Sequence, residues 1–464
     1  MRFKTKVFLA LNVFFMAVAA YAVYVFFVYK TPDGLQDVVQ NAHLKEKKFD
    51  LKVEEIVLKD GLKVWLVEDN SVPLVSLNFY FSSSGYAFDE DKKQGLSAMV
   101  AALLDKGAGA YDEEAFNNLL ETNAIELKFS SDDENFNVSL MVPSKNLDVA
   151  ASVLRAVLFE PHFATENIKV VQKQMAEAVK MSSERPEKVL QKQFKQTFFG
   201  QHPKGRDGLG KIEDIMNITR ADLLSFVHKR FAKDNLVMAM AGDISKDEAQ
   251  KFLSDVFLNL CEKSEGLKLE KPEVSYVFEP QNIERNIPQV LAHFVLKGTE
   301  RLSEDFYALY MATEIFGGAG LSSRLNIASR EKEGLTYGAY VYLNPEKDAP
   351  RLEGGFATSF ENYEKMEKIL FEEFEKMEKD GVSQKEFDAI KNNMLASFNL
   401  RFKSVSDISS MLLYMQKENL GMDFLQKRNE YVLNTTRDDV NAAAKKYFAQ
   451  KPSIITIGES LRKE

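Results

Sequence analysis

One stretch of this chain is written twice. Thr219-Arg220-Ala221-Asp222 leads to Lys229-Arg230-Phe231-Ala232, an apolar run over 236–241 and then Gly242-Asp243. Thr436-Arg437-Asp438-Asp439 leads to Lys446-Tyr447-Phe448-Ala449, an apolar run over 453–457 and then Gly458-Glu459. The spacing from threonine to phenylalanine is 12 residues in both copies. Each copy reads as a capped helix followed by a buried strand, because the threonine hydroxyl accepts from a free backbone N–H and the acid three residues on reaches back. A second echo, Gly107-Ala108-Gly109 against Gly318-Ala319-Gly320, falls in the same order. Two echoes in matching order predict a duplicated domain, so whatever fold the first half adopts the second must repeat. The 464 residues suffice for two cores of ordinary size.

The join is legible. Residues 261–280 are charged and interrupted by Gly266, Pro272 and Pro280, and read as a linker. This predicts a first domain over 46–260 and a second over 281–464, preceded by a polar tether over 31–45. In the first copy, 53–58 and 62–68 flank Asp60-Gly61 as a hairpin, and 74–81 alternates as a strand. Helices are expected over 95–104, 112–123, 146–158, 165–185 and 186–199. In the second copy, strands are expected over 289–296, 337–343 and 354–358, and helices over 305–316, 321–332, 361–379 and 383–403. The last of these opens on a capping box, Ser383 with Glu386. The expected class is α+β: two homologous domains, each a mostly antiparallel sheet covered by helices on one face.

Residues 7–29 are apolar except for Asn12, long enough to cross a bilayer as a helix. Arg2, Lys4 and Lys6 precede the run, whereas Lys30 is followed by Asp33 and Asp37. The positive-inside tendency then leaves the body outside the cytoplasm, on the periplasmic side of the inner membrane if the source is Gram-negative. Ala20-Tyr21-Ala22 has the small-x-small form of a leader cleavage site, but 23–29 stays hydrophobic past it, which favours an uncleaved anchor over residues 1–30. A net charge of −9 with no long basic run argues against nucleic acid as a partner. The lone Cys261 excludes an internal disulfide and is expected to be a small buried hydrophobe.

Several motifs converge on one family. Gly95-Leu96-Ser97-Ala98-Met99-Val100-Ala101-Ala102-Leu103-Leu104-Asp105-Lys106-Gly107 resembles the helix Gly-Leu-Ala-His-x-x-Glu-His-Met-Leu-x-x-Gly of the insulinase/pitrilysin peptidases, the inverted zincins. Asp60-Gly61-Leu62-Lys63-Val64, Lys106-Gly107-Ala108 and His202-Pro203-Lys204-Gly205-Arg206 (in the family, His-Pro-Leu-Gly-Arg) fall in family order. So do Gly317-Gly318, Ser323-Arg324-Leu325 and Arg330-Glu331-Lys332-Glu333-Gly334-Leu335-Thr336-Tyr337. The resemblance runs from about residue 50 to 460 and is nearest to the short-chain, mitochondrial-processing-peptidase-like branch.

Laid on that pattern, both histidine ligand positions are alanine, Ala98 and Ala102, and the glutamate base position is Ala101. The five histidines, His43, His162, His202, His228 and His293, include no pair four apart. The third family ligand is expected near Ala178. Glu177 is one residue off, which on a helix turns the side chain by about 100°, and as a vestigial ligand it could not hold zinc alone. No zinc or other cofactor is therefore expected in this chain, and no hydrolysis by the chain on its own. Leu96, Met99, Val100, Leu103 and Leu104 at helical spacing read equally as an ordinary core helix.

The resemblance implies a role for what remains. In active relatives an arginine and a tyrosine seven apart, here Arg330 and Tyr337, face the zinc site from the second half-molecule. The expected function is the metal-free subunit of a heterodimeric zinc metalloendopeptidase, giving a peptide-binding surface and this pair to a homologous partner that carries zinc on His-x-x-Glu-His. Alternatives are a structural subunit of a membrane complex, like the respiratory core proteins, and a membrane-tethered peptide-binding or chaperone-like module. Arg330 could equally be a surface residue paired with Glu331 or Glu333. Arg324 is expected to make a structural ion pair, and His202 and Arg206 to fix their loop.

Overall fold

The computed structural model describes residues 51–266 and 268–460. The first half opens on a hairpin of β1 (Glu54–Val57) and β2 (Lys63–Glu68), turned by Gly61 at φ 86°, a conformation glycine takes without a Cβ clash. There follow β3 (Leu74–Ser82), α1 (Leu96–Leu103), α2 (Glu113–Thr122), β4 (Glu126–Ser131), β5 (Asn135–Pro143) and α3 (Leu147–Phe159). The half closes with α4 (Thr165–Glu184), α5 (Pro186–Phe199), α6 (Ile212–Asn217), α7 (Arg220–Arg230), β6 (Leu236–Gly242) and α8 (Lys246–Phe257). The second half comprises β7 (Gln281–Glu284), β8 (Gln289–Lys297), α9 (Phe306–Thr313), β9 (Thr336–Asn344) and β10 (Arg351–Ser359). It ends with α10 (Tyr363–Asp380), α11 (Gln384–Phe398), α12 (Val405–Lys417), α13 (Phe424–Asn434), α14 (Arg437–Phe448) and β11 (Ser453–Gly458).

The repeat seen in the sequence is a repeat of topology. The first sheet runs β1-β2-β6-β3-β5-β4 and the second β7-β11-β8-β10-β9. The echoed strands β6 and β11 occupy the same place, each parallel to one neighbour (β2, β7) and antiparallel to the other (β3, β8). The echoed helices α7 and α14 both carry the expected capping box, Thr219 with Asp222 and Thr436 with Asp439. Each sheet has its own core on its helical face, including Phe79, Phe136 and Phe231 in the first half and Phe294, Phe316 and Phe374 in the second.

The other face of each sheet departs from the one-sided cover expected from sequence. Helix α12 of the second half lies on β3 and β6 of the first, where Ser409 Oγ meets Ser76 Oγ at 2.9 Å and accepts from Asn78 Nδ2 at 2.8 Å. Helix α5 of the first half lies on β8 and β11 of the second, burying Leu190, Phe194 and Phe198 against Val295, Ile455 and Ile457. The two helices hold equivalent places in the repeat, after α4 and α11. The halves thus exchange a helix, and each finishes the other's sheet.

Local expectations failed where long-range contacts decide. The helix expected over 321–332 is broken into a 3-10 turn, a short α piece and a π turn at Ile327–Glu331. The Asn326 side chain is the wedge: its Nδ2 donates to Gly320 O and Ala339 O, and its Oδ1 accepts from Ala339 N. Strands β4, β5 and β7 and helices α6, α8, α12 and α13 were absent from the sequence reading. Cys261 is exposed, not buried, because it sits where the chain leaves the first half. Among the described residues no helix is long and apolar enough to cross a membrane, and the apolar segment 7–29 lies outside the described residues.

Candidate functional site

Helix α1, which resembles the family's metal-binding helix, is built on a buried carboxylate. Gly95 precedes it at φ 98°. Asp89, fully buried, accepts from Gly95 N at 3.1 Å, Ser97 N at 3.2 Å and Ser97 Oγ at 3.1 Å, and so satisfies two backbone donors at the start of the helix. Burial pushes the Asp89 carboxyl up to about 7, against those hydrogen bonds and the Arg230 charge. Leu96, Met99, Val100, Leu103 and Leu104 all face the core. Ala98 and Ala101 are half-buried and Ala102 is exposed, on the outer side of the helix, which lies against the edge strand β4 and helix α4.

Ala98 and Ala101 thus pack partly against the core, Ala102 faces solvent, and no side chain among the three carries a ligand atom. Glu177, on α4, is exposed and pairs with Lys180 at 2.7 Å. No group of three or more His, Cys, Asp or Glu among the described residues could hold a metal. A tetrahedral zinc site needs three protein ligands at least, and the residues at the family position do not fit one.

Arg330 and Tyr337 lie at one edge of the second sheet. Arg330 is the fourth residue of the π turn Ile327–Glu331 that precedes β9, and Tyr337 is the second residue of β9, the edge strand of the second sheet. Between the pairs Phe356–Ala339 and Thr358–Thr336 strand β10 has one residue, Ala357, and β9 has two, Tyr337 and Gly338. That bulge breaks the alternation of the strand and turns Tyr337 outward, to 87% exposure. Neither the Arg330 guanidinium nor the Tyr337 hydroxyl has a hydrogen-bond or ion-pair partner among the described residues. Glu333, an alternative partner for Arg330, is taken by Lys365.

The sequence reading missed a cavity of about 610 Å³ between α5 and the open face of the second sheet. Its walls include Tyr340, Tyr342, Phe194, His293 and Glu353. Glu353 is buried, accepts from Tyr342 Oη at 3.0 Å and is bonded by Arg351. His293 Nε2 lies 3.4 Å from Glu353 Oε2, and its ring packs at 4.1 Å on Phe194. Burial opposes ionisation of Glu353, but His293 and Arg351 outweigh it and hold the carboxyl at about 2. The available signal was the alternation Arg351, Glu353, Gly355 on one face of a strand otherwise apolar, which marks a polar cluster and not a solvated edge.

The remaining motif residues are structural. Arg324 grips Glu386 with two bonds, at 2.6 and 2.7 Å. In the loop 202–206, His202 Nδ1 accepts from Lys204 N and its Nε2 lies 3.0 Å from Glu270 O, while Arg206 donates to Asp89 O at 2.7 Å and Asp91 Oδ1 at 2.6 Å.

Comparison with known proteins agrees with this geometry. The family model described as insulinase (peptidase family M16) matches residues 63–211, and that described as peptidase M16 inactive domain matches residues 217–394. The "Uncharacterized zinc protease YmxG" of Bacillus subtilis is 22% identical over 417 residues, 88% of this chain and 98% of that protein. The "Non-peptidase homolog YmxG" of Helicobacter pylori is 26% identical over 342 residues, 73% of this chain and 78% of that protein. A crystal structure of a peptidase M16 inactive domain from Pseudomonas fluorescens superposes with a TM-score of 0.82 at 25% identity, covering 89% of this chain and 99% of that one. The periplasmic protease PqqL of Escherichia coli superposes with a TM-score of 0.75 at 16% identity over 88% of this chain, which spans only 46% of PqqL. With both halves matched, in order, by models of one family, and with the metal positions of its motif occupied by alanine, the chain belongs to the insulinase (M16) peptidase family as a member without the metal-binding residues.

Proposed function

We propose that this chain is the metal-free subunit of a two-subunit zinc endopeptidase, in which a homologous partner carries His-x-x-Glu-His and this chain supplies peptide-binding surface together with Arg330 and Tyr337. The observation that carries the reading is the state of that pair. A guanidinium without a partner and a phenol 87% exposed stand at a bulged edge strand, in a chain whose own metal positions are alanine. Unpaired donors at an edge are costless in water and useful where charge develops on a scissile carbonyl, and loss of one such donor costs about 10²–10³ in turnover in other acyl-transfer sites. The span of this chain, just under half of PqqL, supports pairing with a second chain of similar size. Residues 7–29 would tether the body outside the cytoplasm, and the domain division is at 46–260 and 281–464.

Co-expression with an M16 chain bearing the zinc motif tests the reading. The pair is expected to hydrolyse unfolded peptides, and Arg330→Ala or Tyr337→Phe to lower kcat by about 10²-fold. Full activity in both variants would sink the assigned role. Tight peptide binding by the chain alone, with no hydrolysis in any pairing, would favour the non-catalytic peptide-binding alternative.

A further inference from the structure

Lys204 is an anomaly of its loop. The family pattern His-Pro-Leu-Gly-Arg has an apolar side chain at this place, and here it is a lysine, 6% exposed. Its ammonium donates to Glu134 at 2.5 Å and to Glu346 at 2.6 Å, with Asp133 at 3.8 Å. Burial opposes the charge, but the two nearer carboxylates outweigh it and keep the lysine protonated well above its usual range.

The partners come from different halves. Glu134 is in the turn between β4 and β5, and Glu346 is in the turn between β9 and β10. Strands β4 and β9 are the edge strands of the two sheets, in equivalent places in the repeat. Glu346 also accepts from Arg351 at 2.6 Å, and Arg351 bonds Glu353, so the contact continues into the second sheet. On the other side, Arg206 ties the same loop to Asp89 and the start of α1. A buried ion pair is a poor source of stability, since an apolar residue of like size often serves as well or better. What the charges add is a fixed geometry, because two acceptors from two turns must converge on one ammonium.

We propose that Lys204 is a positioning residue that straps the two edge hairpins together and so sets where β9, with Tyr337, stands relative to the first half. The catalytic consequence rests on the function proposed above; the mechanical coupling does not.

Hydrogen exchange on the full chain separates the two. If the strap exists, Glu346→Gln speeds exchange in the 132–135 turn of the other half, and Glu134→Gln speeds it in the 345–350 turn, each by about fivefold or more. Lys204→Leu loosens both turns, and Lys204→Arg, which keeps the charge, loosens them less. The proposal is overturned if each glutamine loosens only its own turn, or if exchange rises evenly over the molecule. The two carboxylate variants decide the matter even if Lys204→Leu does not fold. In the zinc-bearing complex, Lys204→Leu is expected to lower kcat/KM about tenfold, with recovery in Lys204→Arg. A coupled exchange pattern with no effect of Arg330→Ala would leave the strap standing and remove the catalytic reading.

Discussion

At the scale of the residue, the chemistry of this chain is divided between groups that are missing and groups that are held. Absence was legible at once: alanine at positions 98, 101 and 102 cannot bind a metal or a proton in any fold. The spacing of Arg330 and Tyr337 was legible too, but their exposure was not, since alternation along β9 alone would alternate Tyr337 with Gly338 and only the bulge turns it outward. The cluster around Glu353 escaped notice because its partners, His293, Tyr342 and Arg351, come from three strands. That cluster makes a pH prediction. The Glu353 carboxyl is held at about 2 against 4.5 for the free group, so its contribution to stability is present above about pH 4.5 and is lost as pH falls toward 2. Urea midpoints of wild type and Glu353→Gln should differ clearly at pH 7 and draw together by pH 3; a gap that stays constant would show that the carboxylate is not what the cluster stabilises.

At the scale of the element, α1 shows how a helix can keep its architecture without its former chemistry. The apolar positions read from its sequence are all buried, and its first turn is still capped by Asp89. The opposite side is less buried, with Ala102 exposed and Ala98 half-buried. Ala98→His with Ala102→His should therefore leave the thermal midpoint within a few degrees, whereas Met99→Ala, which empties a core site, should cost about 2–5 kcal/mol. Calorimetry on the two proteins distinguishes them, and equal losses would mean that the helix faces have been assigned wrongly. The capping boxes of α7, α11 and α14 were all legible or inferable from spacing, because a cap is a contact across three residues. The continuous helix expected over 321–332 was wrong because Asn326 bonds a strand 13 residues away.

At the scale of the whole molecule, the exchanged helices make the halves interdependent. Helix α5 covers the second sheet and α12 the first, so neither half can open without exposing the apolar or serine-lined surface beneath its neighbour's helix. Unfolding in urea should follow one transition, with Trp65 fluorescence, which reports the first half, and far-UV circular dichroism, which reports both, sharing one midpoint. Two separated midpoints would show that each sheet is stable without the borrowed helix. The amino-acid sequence by itself determined the duplication, most of the element order and the loss of the metal ligands, because each of these is a matter of residue identity or of contacts a few positions apart. Only the tertiary structure decided the helix exchange, the outward turn of Tyr337 and the burial of Lys204 against Glu346, 142 positions away. Contacts of that reach depend on where chain segments meet in space, and no local periodicity encodes such a meeting.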